Sequence, residues 1–377
     1  MTRALAPLVA LAVGCGWFPP AEPEEPAGPS VQERTFLSDA YHIDQRYASM
    51  LGPWSTEHVT LLDAEAPELL WITGYRTEVI DAHTGEELGQ EFMCHANLDL
   101  EIEQYLEDFD MQFGLSGRVF TLSQGQHVIE FPEGHGIPVL SNRPLQLTTQ
   151  VLNLNDDDID LDVRHRVTVQ YLRDQDLEEP IRPMFQGAVQ GFKAIEDSGL
   201  HYGVTDADPE DHGPGCEVGF PALEGDYDID AHGQKFTAHW VVPPGREETR
   251  TLVTEFLNLP FDTTVHYIAV HLHPFAESLE LIDRTKGETV FKSEVRPAEG
   301  RIGIEHVDYF TSEEGVKVYA DHDYELVAIY DNPLDEAVDS MAVMYLYLHD
   351  KQFRKPDLTQ VAHRSEEAPA EELPSGM

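Results

Sequence analysis

Short strand-like runs separated by turn clusters follow one another along most of the chain. Leu145 to Leu154, Val163 to Leu172 and Met341 to Leu348 alternate in character with period two, as a strand with a buried face does. Clusters such as Pro132-Glu133-Gly134 and Pro243-Pro244-Gly245 separate such runs. We therefore predict an all-β protein with two tandem antiparallel β-sandwich (jelly-roll-like) domains.

Helical signals are few and short. Only Leu98 to Asp110 and Pro183 to Asp197 have the composition of short helices, whereas Thr251 to Leu257 and Val265 to His273 have the composition of strands. A segment rich in Gly, Pro and Asp, Tyr202 to Asp230, interrupts the strand pattern and is typical of an interdomain linker.

These patterns divide the 377 residues into five segments. We predict a signal peptide (1–15), a Pro- and Glu-rich tether (16–34), an N-terminal sandwich (35–195), a C-terminal sandwich (196–352) and a disordered acidic tail (353–377).

The N-terminus carries the features of an export signal. Arg3 precedes a short apolar stretch, Ala4 to Val13, that is too short to span a bilayer. The following Ala12-Val13-Gly14-Cys15 resembles a bacterial lipoprotein signal, which implies that Cys15 is lipidated and becomes the mature N-terminus. Ordinary secretory cleavage is the alternative. We expect an exported protein of the bacterial cell envelope, periplasmic or on the outer surface, that meets the membrane through its lipid anchor only.

The charge balance excludes one class of partner. With 24 Lys and Arg against 70 Asp and Glu, the formal net charge is −46. A field of this sign repels phosphate backbones, so nucleic-acid binding is not expected. The acidic surface favours solubility, and we expect a monomer.

A His-x-His pair lies in one of the predicted strands. His271 and His273 are two residues apart and therefore point to the same face of that strand. Two imidazoles held side by side on a rigid strand suit a transition metal. The alternative is a pair of surface histidines on a strand edge.

A third ligand is available at the start of the last long strand. Alternation places Met341 on the face opposite an apolar set, so its thioether is free to reach a site. That apolar set consists of Ala342, Met344, Leu346 and Leu348. Two imidazoles and a thioether form a soft donor set that suits copper better than hard cations. The alternative for Met341 is a place in the core.

In its C-terminal half the chain resembles the copper type II, ascorbate-dependent monooxygenases, the family of peptidylglycine α-hydroxylating monooxygenase and dopamine β-monooxygenase. The resemblance covers Val242-Pro243-Pro244-Gly245, then His271-Leu272-His273, then Asp339-Ser340-Met341. It implies one copper held by His271, His273 and Met341, and O₂-dependent hydroxylation of an unidentified small molecule or peptide with ascorbate or another external reductant. A non-catalytic copper-binding protein for storage, sensing or delivery is the alternative.

The N-terminal half matches the family less well. There the family holds an electron-transfer copper with two adjacent histidines and a third one downstream, which map onto Cys94, His95 and Gln150. Only His95 is an imidazole. Cys94 acting as a copper ligand beside His95, or His135 moving in, would restore this degenerate second site; otherwise it is lost.

The remaining sequence features are less specific. Cys94 and Cys216 are expected to pair if the protein is exported, and a free thiolate at Cys94 is the alternative. Five further histidines lie in strand or turn contexts with no partner at metal-ligand spacing: His239, His266, His306, His322 and His349.

Overall fold

Strands dominate the structure, as the alternating runs predict. The computed structural model describes residues 30–64, 66–194, 228–229 and 235–367. The strands are β1 (Gln32–Leu37), β2 (Tyr41–Ile43), β3 (Trp54–Val59), β4 (Leu69–Asp81), β5 (Met93–Leu100), β6 (Arg118–Leu122), β7 (Val128–Glu130), β8 (His135–Leu140), β9 (Leu145–Val151), β10 (Leu161–Arg173), β11 (Arg182–Gln190), β12 (Lys193–Ala194), β13 (Asp228–Ile229), β14 (Lys235–Thr237), β15 (Trp240–Val242), β16 (Gly245–Leu252), β17 (Thr263–Leu272), β18 (Ala276–Asp283), β19 (Glu288–Pro297), β20 (Ile304–Val307), β21 (Phe310–Val318), β22 (Tyr324–Asn332), β23 (Val338–Ser340) and β24 (Ala342–His349). The α-helices are α1 (Ile102–Asp108), α2 (Thr254–Leu257) and α3 (Leu358–Glu367).

Each half of the chain is a sandwich of sheets. In the N-terminal half, a sheet of order β3-β9-β5-β6 packs against the β1-β10-β4-β8 part of a larger sheet. In the C-terminal half, a sheet of order β16-β22-β18-β19-β20 packs against β11-β24-β17-β21, which continues that larger sheet. The two parts join through a short parallel pairing of β11 with β8. The all-β sandwich prediction is confirmed.

Strands β17 and β24 lie in the middle of the molecule and are buried on both faces. One face, with Val270 and Met344, belongs to the core of the C-terminal sandwich. The other face, with Ala269, Met341 and Tyr347, packs into the core of the N-terminal half. A strand that is covered on both faces has a nearly continuous apolar sequence, which explains the composition of β17 and β24. The parity predicted for Met341 and Met344 is confirmed.

A turn of the N-terminal half also docks onto the C-terminal half. It consists of Ser123, Gln124, Gly125 and Gln126, and we call it the docking turn. Gln126 Oε1 accepts a hydrogen bond from the Val270 backbone N–H at 3.1 Å, and Gln124 Oε1 accepts one from the Ile304 N–H at 3.1 Å. Side chains of this turn thus satisfy buried backbone groups across the interface.

Three predictions about individual segments are wrong. The predicted helix Pro183 to Asp197 is strand β11 as far as Gln190, because its backbone pairs with β24 over seven residues from Met184. Tertiary pairing overrides the weak helical signal there. The strand predicted over Thr251 to Leu257 ends at Leu252, and α2 follows.

The third error concerns the ends of the folded region. The tail predicted to be disordered from 353 is ordered at its start: Phe353 packs edge-on against Trp71 with ring centres 5.3 Å apart, and Val361 of α3 is fully buried. The last tether residues, 32–34, belong to β1. By contrast, the short helix predicted within Leu98 to Asp110 is present as α1. Among the described residues, no helix has the length and apolar character needed to cross a membrane.

Candidate metal centre

The predicted ligands lie together at one end of the central strands, on the face that packs against the N-terminal half. His271, His273 and Met341 expose 3%, 4% and 0% of their surface. The rings of His271 and His273 are 5.4 Å apart and nearly perpendicular. Strand pairing sets Leu272 opposite Ala342, and His273 and Met341 are the next residues beyond that pair. The structure therefore places the two imidazoles side by side, with Met341 in the segment next to His273.

Each histidine of the pair is held through its Nδ1 atom. The Nδ1–H of His273 donates to Asp339 Oδ2 at 2.6 Å, and Nδ1 of His271 shares a hydrogen bond with Ser123 Oγ of the docking turn at 2.9 Å. Nε2 of His271 is buried and has no hydrogen-bond partner among the described residues. Metal-binding histidines typically use one ring nitrogen for such a partner and the other for the metal.

A tyrosine hydroxyl joins the backbone segments that carry two of these side chains. Tyr330 Oη accepts a hydrogen bond from the His273 N–H at 3.2 Å and donates one to the Met341 carbonyl. Tyr330 itself is 1% exposed. Since the regular ladder between β17 and β24 ends one residue earlier, at Leu272 and Ala342, this hydroxyl fixes the spacing of His273 and Met341.

The electrostatics of the site keep His271 neutral. Burial lowers the pKa of His271 well below its ordinary value, and the charges of His273 and His95 lower it further. Burial alone would raise the pKa of Asp339, but the charge and hydrogen bond of His273, with a hydrogen bond from Ser49, hold that pKa below its ordinary value. A neutral imidazole, such as that of His271, is the form that binds a metal ion.

His239 is a neighbour of this site that the sequence did not reveal. It is 2% exposed, and its ring lies 5.9 Å from that of His273. Its proximity results from the pairing of β15 with β23, which sets Trp240 opposite Ser340. No spacing along the chain signals this arrangement, because two strands, β15 and β16, lie in sequence between His239 and the strand of the His-x-His pair.

The residues predicted for a second site in the N-terminal half do not form one by themselves. His95 is fully buried, and burial, followed by the charges of Arg118, His165 and other histidines, lowers its pKa to about 3. Gln150 lies opposite His95 on the neighbouring strand, but its amide donates to the carbonyls of Met50 and Gly52 at 2.9 and 2.8 Å. His95 is instead electrostatically coupled to His271, so it belongs to the surroundings of the predicted copper site.

The two ways of restoring that second site gain no support from the structure. Cys94 is a buried free thiol whose pKa burial raises to about 12, so it is protonated in the absence of metal. Cys216 lies outside the described residues, and the predicted disulfide stays a prediction. His135 is placed far from this role, because Glu133 and Arg182 occupy its ring nitrogens and its ring packs 4.4 Å from that of His266.

The metal-binding set is incomplete without sulfur. Among the described residues, no three histidine, cysteine, aspartate or glutamate side chains are arranged to hold a metal ion together. A metal ion in this place therefore needs the Met341 thioether or a rotation of one more side chain. The donor atoms present, two imidazoles and a thioether, fit copper.

Comparison with known proteins identifies no family for this chain. No protein-family model matches the chain, and no curated protein does. Among solved structures, PBCV-1 VP54, fitted into a reconstruction of the virophage Sputnik, is similar with 7% identity and a TM-score of 0.33, covering 88% of this chain and 98% of that one. PNGase F, a glycosylasparaginase from Flavobacterium meningosepticum, is similar with 7% identity and a TM-score of 0.32, covering 85% and 97%. The STIV MCP has 8% identity and a TM-score of 0.31, covering 85% and 97%.

Proposed function

We propose that this protein binds one copper ion with His271, His273 and Met341. The observation that carries the proposal is the buried Nε2 atom of His271, which has no hydrogen-bond partner among the described residues and lies beside a second oriented imidazole. Leaving a buried polar atom without a partner costs about 1–3 kcal/mol. A metal ion at this position would satisfy it.

The surroundings of the three residues favour the reduced ion. Met341 supplies a soft sulfur, the His271 imidazole is neutral, and all three side chains are closed off from water. Copper bound there would supply a centre that cycles between Cu(I) and Cu(II). Asp339 and Ser123 would hold the two imidazoles in place from the opposite side of each ring.

Non-catalytic copper binding, for storage, sensing or delivery, ranks first among the functions of such a centre. The residues at the expected electron-transfer site supply one imidazole, His95, and an amide, Gln150, that is engaged with backbone carbonyls. O₂-dependent hydroxylation is the second candidate, because a copper ion held by only two imidazoles and a thioether would keep an open coordination position. An external reductant such as ascorbate would then serve the buried centre.

The location of the protein is part of the same proposal. Export as a lipoprotein anchored through Cys15 would place the copper centre in the cell envelope. Cys15 lies outside the described residues, and globomycin sensitivity of processing, or acylation lost on Cys15→Ala, tests this part independently of the metal.

The decisive experiment is copper stoichiometry. The full chain is loaded with Cu(I) under reducing conditions, freed of loosely held metal and analysed for copper per chain. We expect one copper, lost in His271→Ala and in His273→Ala but kept in His349→Gln, a control at the far end of β24. O₂ consumption by the loaded protein with ascorbate then separates the two candidate functions. A chain that retains no copper, or loses none in His271→Ala, would refute the proposal.

A further inference from the structure

His239 lies just outside the pairing of β15 with β23, close to the segment that carries Met341. Trp240 pairs with Ser340, so His239, the residue before Trp240, and Met341, the residue after Ser340, both lie just beyond that pair. On the other side, the pairing of β17 with β24 ends at Leu272 and Ala342, the residues next to His273 and Met341. Three neighbouring chain segments therefore place His239, Met341 and His273 in one row, each just outside its paired strand.

The row shares one face. Trp240 and Val242 of β15 point into the core of the C-terminal sandwich. His239 lies in the bend before β15, and its position is given by its ring, which lies near that of His273. Met341 packs on the face toward the N-terminal half, and the His239 ring lies beside the same cluster.

The separations of the rings are slightly larger than those of ligands to a single ion. A metal–nitrogen bond is about 2 Å, so two imidazoles on one tetrahedral ion have ring centres about 5 Å apart. The observed separations are 5.4 Å from His271 to His273 and 5.9 Å from His239 to His273. As the side chains stand, no three histidine, cysteine, aspartate or glutamate residues of the described part of the chain are arranged to hold an ion, so the site inferred below requires the His239 ring to turn toward it.

The backbone that carries His239 is fixed. Thr237 Oγ1 donates to the His239 carbonyl at 2.6 Å and accepts from the His239 N–H at 3.1 Å. The adjacent Trp240 is 1% exposed and meets Tyr330 edge-on with ring centres 6.0 Å apart. The same Tyr330 joins His273 to Met341, so one rigid unit holds the whole row.

We infer that His239 is a fourth copper ligand, which gives a centre of three imidazoles and one thioether. The inference rests on the proposed copper site and extends it. His95 is a weaker candidate for this position, because it comes from the opposite half of the molecule and only an electrostatic coupling relates it to His271. Four soft and borderline donors complete the tetrahedral coordination of Cu(I) and leave no open position. Such a centre holds copper and does not turn over O₂.

X-ray absorption of the Cu(I)-loaded full chain tests the inference. We expect about three nitrogens and one sulfur per copper in the natural chain, because four ligands complete a tetrahedral ion. In His239→Gln we expect about two nitrogens with the sulfur retained, and a Cu(I) affinity lowered about tenfold or more in competition with a coloured Cu(I) chelator. His349→Gln, with its substituted histidine outside the row, is expected to match the natural chain.

The outcomes separate this inference from the proposed function. One copper bound by two nitrogens and one sulfur in the natural chain, or a His239→Gln spectrum identical to that of the natural chain, would overturn the role of His239 and leave the copper site standing. Absence of tight copper in the natural chain would overturn both. If His239→Gln fails to fold, the nitrogen count of the natural chain decides the question alone.

Discussion

The substitution Gly125→Ala tests how the docking turn packs between the two halves and supports the site. Gly125 has φ +87°, and a Cβ added there would lie 2.5 Å from Ile304 Cγ2 and 3.2 Å from Val307 Cγ1 across the interface. Its N–H donates to Gln90 Oε1, and its carbonyl accepts from the Val307 N–H. The turn therefore cannot move away without breaking these hydrogen bonds.

Two costs add in this variant. The left-handed backbone conformation costs an alanine about 1–2 kcal/mol, and overpacking against Ile304 and Val307 costs about 1–3 kcal/mol. Gly85 supplies a matched control, since it has φ +73° and a Cβ there would meet no heavy atom of the described residues within 4 Å. In Gly85→Ala only the cost of the left-handed backbone conformation applies. We expect the free energy of unfolding to fall by about 2–5 kcal/mol in Gly125→Ala and by about 1–2 kcal/mol in Gly85→Ala.

Urea denaturation of both variants measures these losses, provided that the slope of the transition does not change. Copper affinity gives a second readout, because Ser123 of the same turn orients His271. Loss of such an orienting contact typically costs about 10- to 100-fold in metal affinity, so Gly125→Ala but not Gly85→Ala should bind copper more weakly. Equal destabilisation of the two variants would show that the docking turn does not pack as described.

Further predictions concern single side chains. Met341→Leu, which nearly conserves volume, should lower Cu(I) affinity about tenfold or more while costing less than about 1.5 kcal/mol of stability; unchanged affinity in the chelator competition would remove the thioether from the site. Tyr330→Phe should cost about 1–3 kcal/mol in urea denaturation, because the His273 N–H and the Met341 carbonyl lose their common partner in the interior. His165 is fully buried, and burial lowers its pKa to about 4. In the unfolded chain this histidine has a pKa of about 6.5, so below that pH the unfolded chain binds a proton that the folded chain does not bind. The free energy of unfolding should therefore fall between about pH 6.5 and 4, by about 3 kcal/mol for this group alone. His165→Gln should flatten that fall, and an unchanged pH profile would count against the assignment.

Much of the fold follows from the local pattern, and the failures have a common cause. β10 (Leu161–Arg173) covers the predicted strand Val163 to Leu172, because the alternation of a half-buried strand follows from which of its faces is buried. β11 departs from its prediction, because its strand conformation results from pairing with β24, more than 150 residues away in sequence. Helical and strand signals are both weak in Arg182–Gln190, and the tertiary pairing decides between them.

The same distinction applies to the candidate site. His271 and His273 are recognisable because period two is a local rule, and the face of Met341 follows from the same rule. His239 is not recognisable, because its place depends on the register of β15 against β23, which no local pattern encodes. Ser123 is missed for a related reason: it acts across the interface between the two halves, and a serine in a turn is otherwise unremarkable in sequence.

The number of imidazoles at the centre decides between the two candidate functions. Activation of O₂ requires an open coordination position, which a site of His271, His273 and Met341 alone would keep. If His239 completes the coordination, the thioether and three imidazoles surround Cu(I) and stabilise it against oxidation, because no position is left for O₂. In that case the closed interface would serve to retain the ion. The docking turn holds His271, and Tyr330 holds the backbone of His273 and Met341. Release or exchange of the ion would require the two halves to separate, so copper transfer would be limited by the opening of this interface.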